Sequence, residues 1–348
     1  MILVEPIRNG KYIKDGAYYL ATQIWALSHL KFDEIVAFPA VLDPYVQIGY
    51  FQNPEVEVNF KYLKEHNIPI VRRDTGGGAI YIDSNQMGVC YLIPYKDNES
   101  ILGNYEKFLE PAIKIIKELG AKNVVQSGKN DLTIDGFKVS GAAMALIGDT
   151  IYGGNTYIYK IDYDAMSQVL KPNRKKIEAK GIKSVRQRIA PLSDYFNEPY
   201  KNMDIFEFKD LVVKKLFNVD DLSNVKRYVL TENDWKQIDE LVNAKYKNWD
   251  WNYGLSPRYE YNRDARLAIG TINFSLAVKG QRIERIKISG DFFAKADINE
   301  LEKSLVGIKM DYDELSNAIK QANLEKYFFN EISVDDVVRT ILSEDDNE

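Results

Sequence analysis

Cysteine is almost missing from these 348 residues: Cys90 stands alone, so no intrachain disulfide can form. A disulfide framework and a cysteine-rich zinc site are excluded, and a reducing compartment fits. Histidine is nearly as scarce, with only His29 and His66 present. Long apolar runs are lacking too: no stretch reaches membrane-spanning length, and the opening MILVEPIRNGKYIKDG has no apolar core of a signal peptide. A cytoplasmic location is the expectation. There is no large excess of one charge, since 46 Lys and Arg stand against 51 Asp and Glu for a net charge of −5. That balance argues against a dedicated nucleic-acid binder. Neither repeats nor low-complexity segments occur.

What is present suits a globular chain: 45% hydrophobic and 28% charged residues. The length exceeds what one core usually organises, so two domains are expected. Apolar residues three and four apart predict helices over 16–27, through VNFKYLKEH, and over 105–121. Strands are predicted over 33–41, 44–51, 68–83 (interrupted by a glycine loop), 87–95 and, as a run of short strands, 131–161. Asp135-Gly136 and Gly148-Asp149 supply turns, the first a good hairpin turn. Hairpins among helices imply an α+β fold on an antiparallel or mixed sheet. Helices over 204–218 and 231–248 lead to the aromatic connector NWDWNYGLSPRY (248–259). A second hairpin set turns at Lys279-Gly280, and three helices follow near 297–306, 312–327 and 333–343, the last opening with Ser333 and Asp336 at capping-box spacing. The expected domains are 1–247 and 248–348.

Two segments carry chemistry. Arg72-Arg73-Asp74-Thr75-Gly76-Gly77-Gly78-Ala79 sets two guanidiniums beside three glycines between strands. Glycine lets backbone N–H groups close on an anion, and arginine adds a permanently charged donor fork. The same residues also suit a tight turn with solvated arginines. No P-loop or Rossmann glycine pattern is present. The second segment, Gly128-Lys129-Asn130-Asp131, is followed by a hairpin returning through Lys138-Val139-Ser140-Gly141-Ala142-Ala143. Its ends bring a carboxylate, an amide and an ammonium around one volume, as a magnesium–nucleotide site needs. As an isolated pattern it also fits an exposed strand lysine and a turn aspartate.

Together these segments resemble the lipoate–protein ligase family along nearly the whole chain. The motifs run in the family's order: Gln47-Ile48-Gly49-Tyr50-Phe51-Gln52-Asn53, the arginine–glycine segment to Asp83, Asn130-Asp131, the Lys138 strand, and Ala179-Lys180-Gly181-Ile182-Lys183-Ser184-Val185 with Arg186 and Arg188. Ile288-Ser289-Gly290-Asp291-Phe292-Phe293 looks like the family's small accessory domain. The resemblance implies a large mixed or antiparallel sheet domain of the biotin/lipoate ligase type with a small C-terminal α+β domain. It implies that lipoate, or octanoate, is activated with ATP and Mg²⁺ to an acyl-adenylate. The acyl group then passes to a lysine of a lipoyl carrier, the glycine-cleavage H protein or an E2 lipoyl domain. No nucleic-acid or membrane partner is implied, and monomer is the default. By the same resemblance Lys138 contacts the lipoyl carboxyl and the adenylate phosphate. Arg73, Thr75, Gly76, Gly77 and Gly78 border the lipoyl and phosphate positions, and Ala79, Ile80 and Asp83 lie along the nucleotide. Asn130 and Asp131 hold adenylate and magnesium, with Asp131 the metal contact, while Ser140, Gly141 and Ala143 wall the acyl chain.

The chain departs from the family pattern at three places. Ile82 and Gly153 stand where the family often has histidine, and 84–88 replaces the commoner Gly-Asn-x-Asn. An obligatory histidine acid–base is therefore not expected. The basic stretch 171–188 reads as a solvated face, a dock for an acidic carrier or a phosphate anchor. The aromatic stretch 246–261 reads as inter-domain packing. Cys90, mid-strand without a nearby histidine, reads as a packing residue. Other readings are a relay acyltransferase working without ATP, a biotin-type ligase, and a nonenzymatic lipoyl or adenylate binder.

Overall fold

The computed structural model describes residues 1–171, 188–254 and 261–343. Its first part runs β1 (Ile2–Leu3), β2 (Ile7–Arg8), β3 (Lys11–Tyr12), α1 (Gly16–His29), β4 (Val36–Val41), β5 (Tyr45–Ile48), α2 (Pro54–Glu57), α3 (Phe60–Glu65), β6 (Ile70–Arg72) and β7 (Ile80–Ile82). It continues with β8 (Met87–Pro94), α4 (Tyr105–Glu118), β9 (Val125–Ser127), β10 (Asp131–Ile134), β11 (Phe137–Ile147), β12 (Thr150–Tyr157), α5 (Tyr163–Val169), α6 (Ile205–Phe217) and α7 (Glu232–Leu241). Seven strands pair in the order β1-β4-β8-β12-β11-β10-β9, and β6-β5-β7 form a separate three-stranded sheet. The β1–β4 and β5–β6 pairings are parallel and the others in these two sheets antiparallel. This is the expected mixed α+β sheet, divided in two.

Strand β8 shows why the sheet lies at the centre. Successive strand side chains point to opposite faces. Met87, Val89, Tyr91 and Ile93 enter one core, closed by Phe108, Leu109, Ala112 and Ile115 of α4 and by Phe208 and Val212 of α6. Cys90 and Leu92 enter a second core, closed by Leu20 and Trp25 of α1 and by Trp235 and Ile238 of α7. A strand apolar on both faces is what a sheet covered on both sides requires. The helices start on side-chain caps: Asp15 for α1, Asn104 for α4, and full capping boxes from Asp204 with Glu207 and from Thr231 with Asp234.

The helix expected over 231–248 stays α-helical only to Leu241. Wider π-turns follow at Val242–Tyr246 and Asp250–Gly254. Tyr246 is buried in the second core with Trp251 packed against it, and Asn252 is buried as well. The sequence division at 247/248 falls inside this packed segment.

The second part is a three-stranded antiparallel sheet, β13 (Tyr261–Leu267), β14 (Gly270–Lys279) and β15 (Arg282–Gly290), covered by α8 (Ile298–Leu305), α9 (Tyr312–Ala322) and α10 (Val334–Leu342). Ser333 caps α10 by accepting from the Asp336 N–H. The β14–β15 turn lies one residue later than expected, at Gly280 and Gln281, both with positive φ. The β14–β15 register then shifts by one between Ala277 and Val278, where Glu284 is the extra residue of a bulge. Among the described residues no helix is long and apolar enough to cross a membrane.

Candidate active site

The β10–β11 hairpin turns at Asp135 and Gly136, with φ of 51° and 85° as a two-residue hairpin turn demands. Its register contains one irregularity: Asp131 pairs with Gly141 and Leu132 with Ser140, but Thr133 pairs with Lys138. Val139 is the extra residue. The bulge puts the Lys138 ammonium on the face that carries Asp131 and Gly141, where Nζ lies 2.7 Å from the Asp131 Oδ1. A Cβ at Gly141 would stand 2.9 Å from that ammonium, so glycine is what gives the lysine its place. Ala143 shares this face by alternation. Ser140 does not: it faces with Leu132 into the first core, fully buried, and its hydroxyl has no hydrogen-bond partner among the described residues. Asn130 closes the end of the hairpin: its side-chain amide donates to the Ala142 carbonyl, and its backbone carbonyl accepts from the Ala142 N–H at 2.8 Å. The Lys138 backbone pairs with 188–190, donating to Arg188 and accepting from Ala190. The basic stretch and the 179–185 motif lie outside the described residues, apart from Lys171 and Arg188 at its ends.

The glycine loop between β6 and β7 is organised from within. Arg73, buried, donates to the carbonyls of Gly76 (2.7 Å) and Gly78 (2.9 Å), to Gln47, and to the Thr75 hydroxyl. Arg72, wholly buried, donates to the carbonyls of Gly49, Tyr50 and Gln52 and to those of Trp251 and Asn252. Burial pushes each guanidinium down to about 10, so both stay charged at neutral pH. The Thr75 carbonyl accepts from the Tyr50 N–H. Ala79, just before β7, and Ile80, its first residue, are half-buried. Asp83 is buried with its carboxylate accepting from the Asn85 and Asp162 N–H groups, and burial raises its carboxyl above the usual range.

The small domain reaches this loop. The Gly77 N–H donates to the Phe292 carbonyl at 3.2 Å, and the same oxygen lies 2.2 Å from where a Gly76 Cβ would be. The Phe293 ring stands 3.0 Å from the equivalent point on Gly77 and packs on Tyr105. At Gly78 that point is open, with Asp291 Cβ nearest at 4.0 Å. Asp291 also acts electrostatically on Lys129, beside Asn130 and Asp131. Sequence reasoning saw 288–293 as a mark of the small domain and gave it no place at the site. Aromatic rings continue the link from Trp251 through Tyr50 and Phe51 to Phe292.

Each histidine is closed on its own helical turn, His29 on the Trp25 carbonyl and His66 on that of Tyr62. Ile82 is buried in the second core. A Cβ at Gly153 would lie 2.9 Å from the Ala143 carbonyl oxygen, which leaves no room for an imidazole. Among the described residues no group of three or more His, Cys, Asp or Glu is placed to hold a metal. Two open clefts, of about 400 and 340 Å³, contain none of the candidate residues.

Cys90 is buried in the second core, and desolvation pushes its thiol well up. A thiol held neutral is a poor nucleophile. The native protein should resist iodoacetamide at pH 8 and react once unfolded in urea, as mass spectrometry would record. Rapid native labelling would contradict the burial.

The chain matches the family model for the lipoyl protein ligase A/B catalytic domain over residues 15–217 and that for the bacterial lipoate protein ligase C-terminus over 256–341. It is 49% identical over 343 residues to lipoate–protein ligase 2 of Staphylococcus aureus, spanning 99% of this chain and 100% of the relative. To the lipoate–protein ligase of Streptococcus pyogenes it is 48% identical over 327 residues, spanning 94% and 96%. The fold is shared with P. falciparum LipL1 in complex with lipoate (TM-score 0.75, 20% identity, 99% of each chain). It is shared also with lipoate–protein ligase A bound with ATP (TM-score 0.58, 23% identity, 73% of this chain and 98% of that one).

Proposed function

The chain belongs to the lipoate–protein ligase family, and from that premise we propose that it joins lipoate to ATP as lipoyl-AMP and then transfers the lipoyl group to a lysine of a carrier domain. The supporting observation is the Lys138 ammonium held by Asp131 over the gap that Gly141 leaves. In the first half, the lipoate carboxylate attacks the α-phosphorus, forming a P–O bond as pyrophosphate leaves. A carboxylate is already ionised at neutral pH, so no general base is needed, and the barrier is the meeting of two anions. Lys138 and the backbone N–H groups of 75–78 answer that charge. Arg73 acts through the loop, since its donors hold carbonyls of Gly76 and Gly78. Asn130, Ala79, Ile80 and Asp83 border the nucleotide, and Gly141 and Ala143 border the acyl chain. Magnesium arrives on the triphosphate. A lone carboxylate such as Asp131 fits an ion that keeps phosphate and water ligands.

In the second half, the carrier amine attacks the acyl carbon, an amide forms and AMP leaves. The ammonium must first lose its proton, to Asp131 or to a phosphate oxygen. The carrier is an E2 lipoyl domain or a glycine-cleavage H protein, and the setting is cytoplasmic. Mass spectrometry of a lipoyl domain incubated with enzyme, lipoate, Mg²⁺ and ATP, each omitted in turn, tests the proposal. One added lipoyl group that requires all four is expected. No modification from free lipoate and ATP, together with ATP-free transfer from an already lipoylated donor domain, would establish a relay instead.

A further inference from the structure

The residue that joins the two arginines to the glycines has no role in the reaction described so far. Asp74 leads directly into Thr75 and Gly76, and its side chain is only 12% exposed. One carboxylate oxygen accepts from the Tyr246 hydroxyl at 2.5 Å, and the other is ion-paired with Lys245. The Lys245 ammonium lies over the Trp251 ring, 4.1 Å from its centroid. Trp251 in turn donates its indole N–H to the Arg72 carbonyl, and Asn252 accepts from the Arg72 N–H at 2.8 Å. The strand end that launches the glycine loop is thus held, residue by residue, by the segment 245–252.

That segment is built from the two π-turns. Such turns are rare and concentrate at functional sites. Here they let Lys245 and Tyr246, neighbours in sequence, reach the same carboxylate. The segment also leads within ten residues into β13 of the small domain, so the loop is anchored to the chain that connects the two domains.

We propose that Asp74, gripped by Lys245 and Tyr246, is a positioning residue that sets where 75–78 present their backbone N–H groups to the anionic substrates. The proposal rests on the ligase reading above. It makes a prediction whose sign separates it from simple electrostatics. Asp74→Asn keeps the shape and removes a negative charge two residues from Gly76. By charge alone, anionic substrates should bind more tightly. If the carboxylate positions the loop, they bind more weakly, because a charge-assisted grip is lost.

The test is lipoate-dependent exchange of labelled pyrophosphate into ATP by the full-length enzyme. Expected for Asp74→Asn is a rise of roughly tenfold in KM for lipoate, with kcat within about threefold. Tyr246→Phe should move KM the same way by less. The double variant should be no worse than Asp74→Asn, as partners in one interaction require. A merely structural role would lower the fraction of active enzyme, and so kcat, without moving KM. An unchanged or lowered KM would overturn the positioning role. Should Asp74→Asn fail to fold, Tyr246→Phe and Lys245→Met give the same readout and decide the matter in the same way. Absence of lipoate-dependent exchange in the parent protein would defeat the ligase reading, and this proposal with it. Normal parental exchange with unmoved variants would defeat the positioning role alone.

Discussion

Lys138→Ala is expected to lower the rate of lipoyl-adenylate formation by about two to three orders of magnitude, the usual cost of removing one preorganised stabiliser of developing charge. Two effects act in the same direction. On the proposed mechanism the variant loses the cation that meets both anions, and it leaves Asp131 without its ion-pair partner. The fold should barely respond. Both side chains are about one-third exposed, at 29% and 33%, and an ion pair so placed contributes roughly 0–1 kcal/mol. Pyrophosphate exchange and a thermal melt, read on one preparation, separate chemistry from stability. Lys138→Arg should recover part of the rate, because the charge returns on a broader and less mobile head. A folded alanine variant exchanging at the parental rate would remove Lys138 from the reaction.

Gly49→Ala should be damaging for a steric reason. A Cβ there would stand 1.9 Å from the Gly77 carbonyl oxygen and 3.2 Å from the Arg73 guanidinium. Neither neighbour can yield easily. Arg72 holds the carbonyls of Gly49, Tyr50 and Gln52, and the Gln52 side chain accepts from the Gly49 N–H. Arg73 holds the far side of the glycine loop through Gly76 and Gly78. One backbone must therefore move by on the order of 1 Å, and a misplacement of that size costs about 100-fold in rate when it reaches the reacting groups. Overpacking should also remove about 1–3 kcal/mol of stability. The pair of measurements is adenylate formation and urea midpoint. Parental activity in Gly49→Ala would mean that the contact between the two loops does not govern the site.

These two residues mark where sequence reasoning succeeded and where it ran out. Helix α4 was legible because its apolar period is strong, and the β10–β11 hairpin because Asp135-Gly136 is a local turn signal. The bulge at Val139 was not, since it depends on how β11 fits two neighbouring strands, yet it decides that Gly141 and not Ser140 stands opposite Asp131, on the face of Lys138. Gly49 was visible as part of a motif, but its apposition to Gly77 comes from β5 lying between β6 and β7, the two strands that the glycine loop joins. Asp74 meets its partners 171 and 172 positions away, a separation at which no local pattern carries information. The π-turns were hidden because their apolar spacing passes for that of an ordinary helix over so short a stretch. The two arginines were recognised as a pair, but not that both would be used on carbonyl groups of the protein itself.

The Gly77 N–H already has an acceptor, the carbonyl of Phe292. If an oxyanion binds there, as proposed above, it exchanges one partner for another, so its gain is a difference between two hydrogen bonds instead of a whole one. Apparent affinity at that position then scales with the share of molecules in which Phe292 has let go. On that reading, a change in the small domain that alters the hold of Phe292 on Gly77 would weaken or strengthen binding by changing what the ligand must displace.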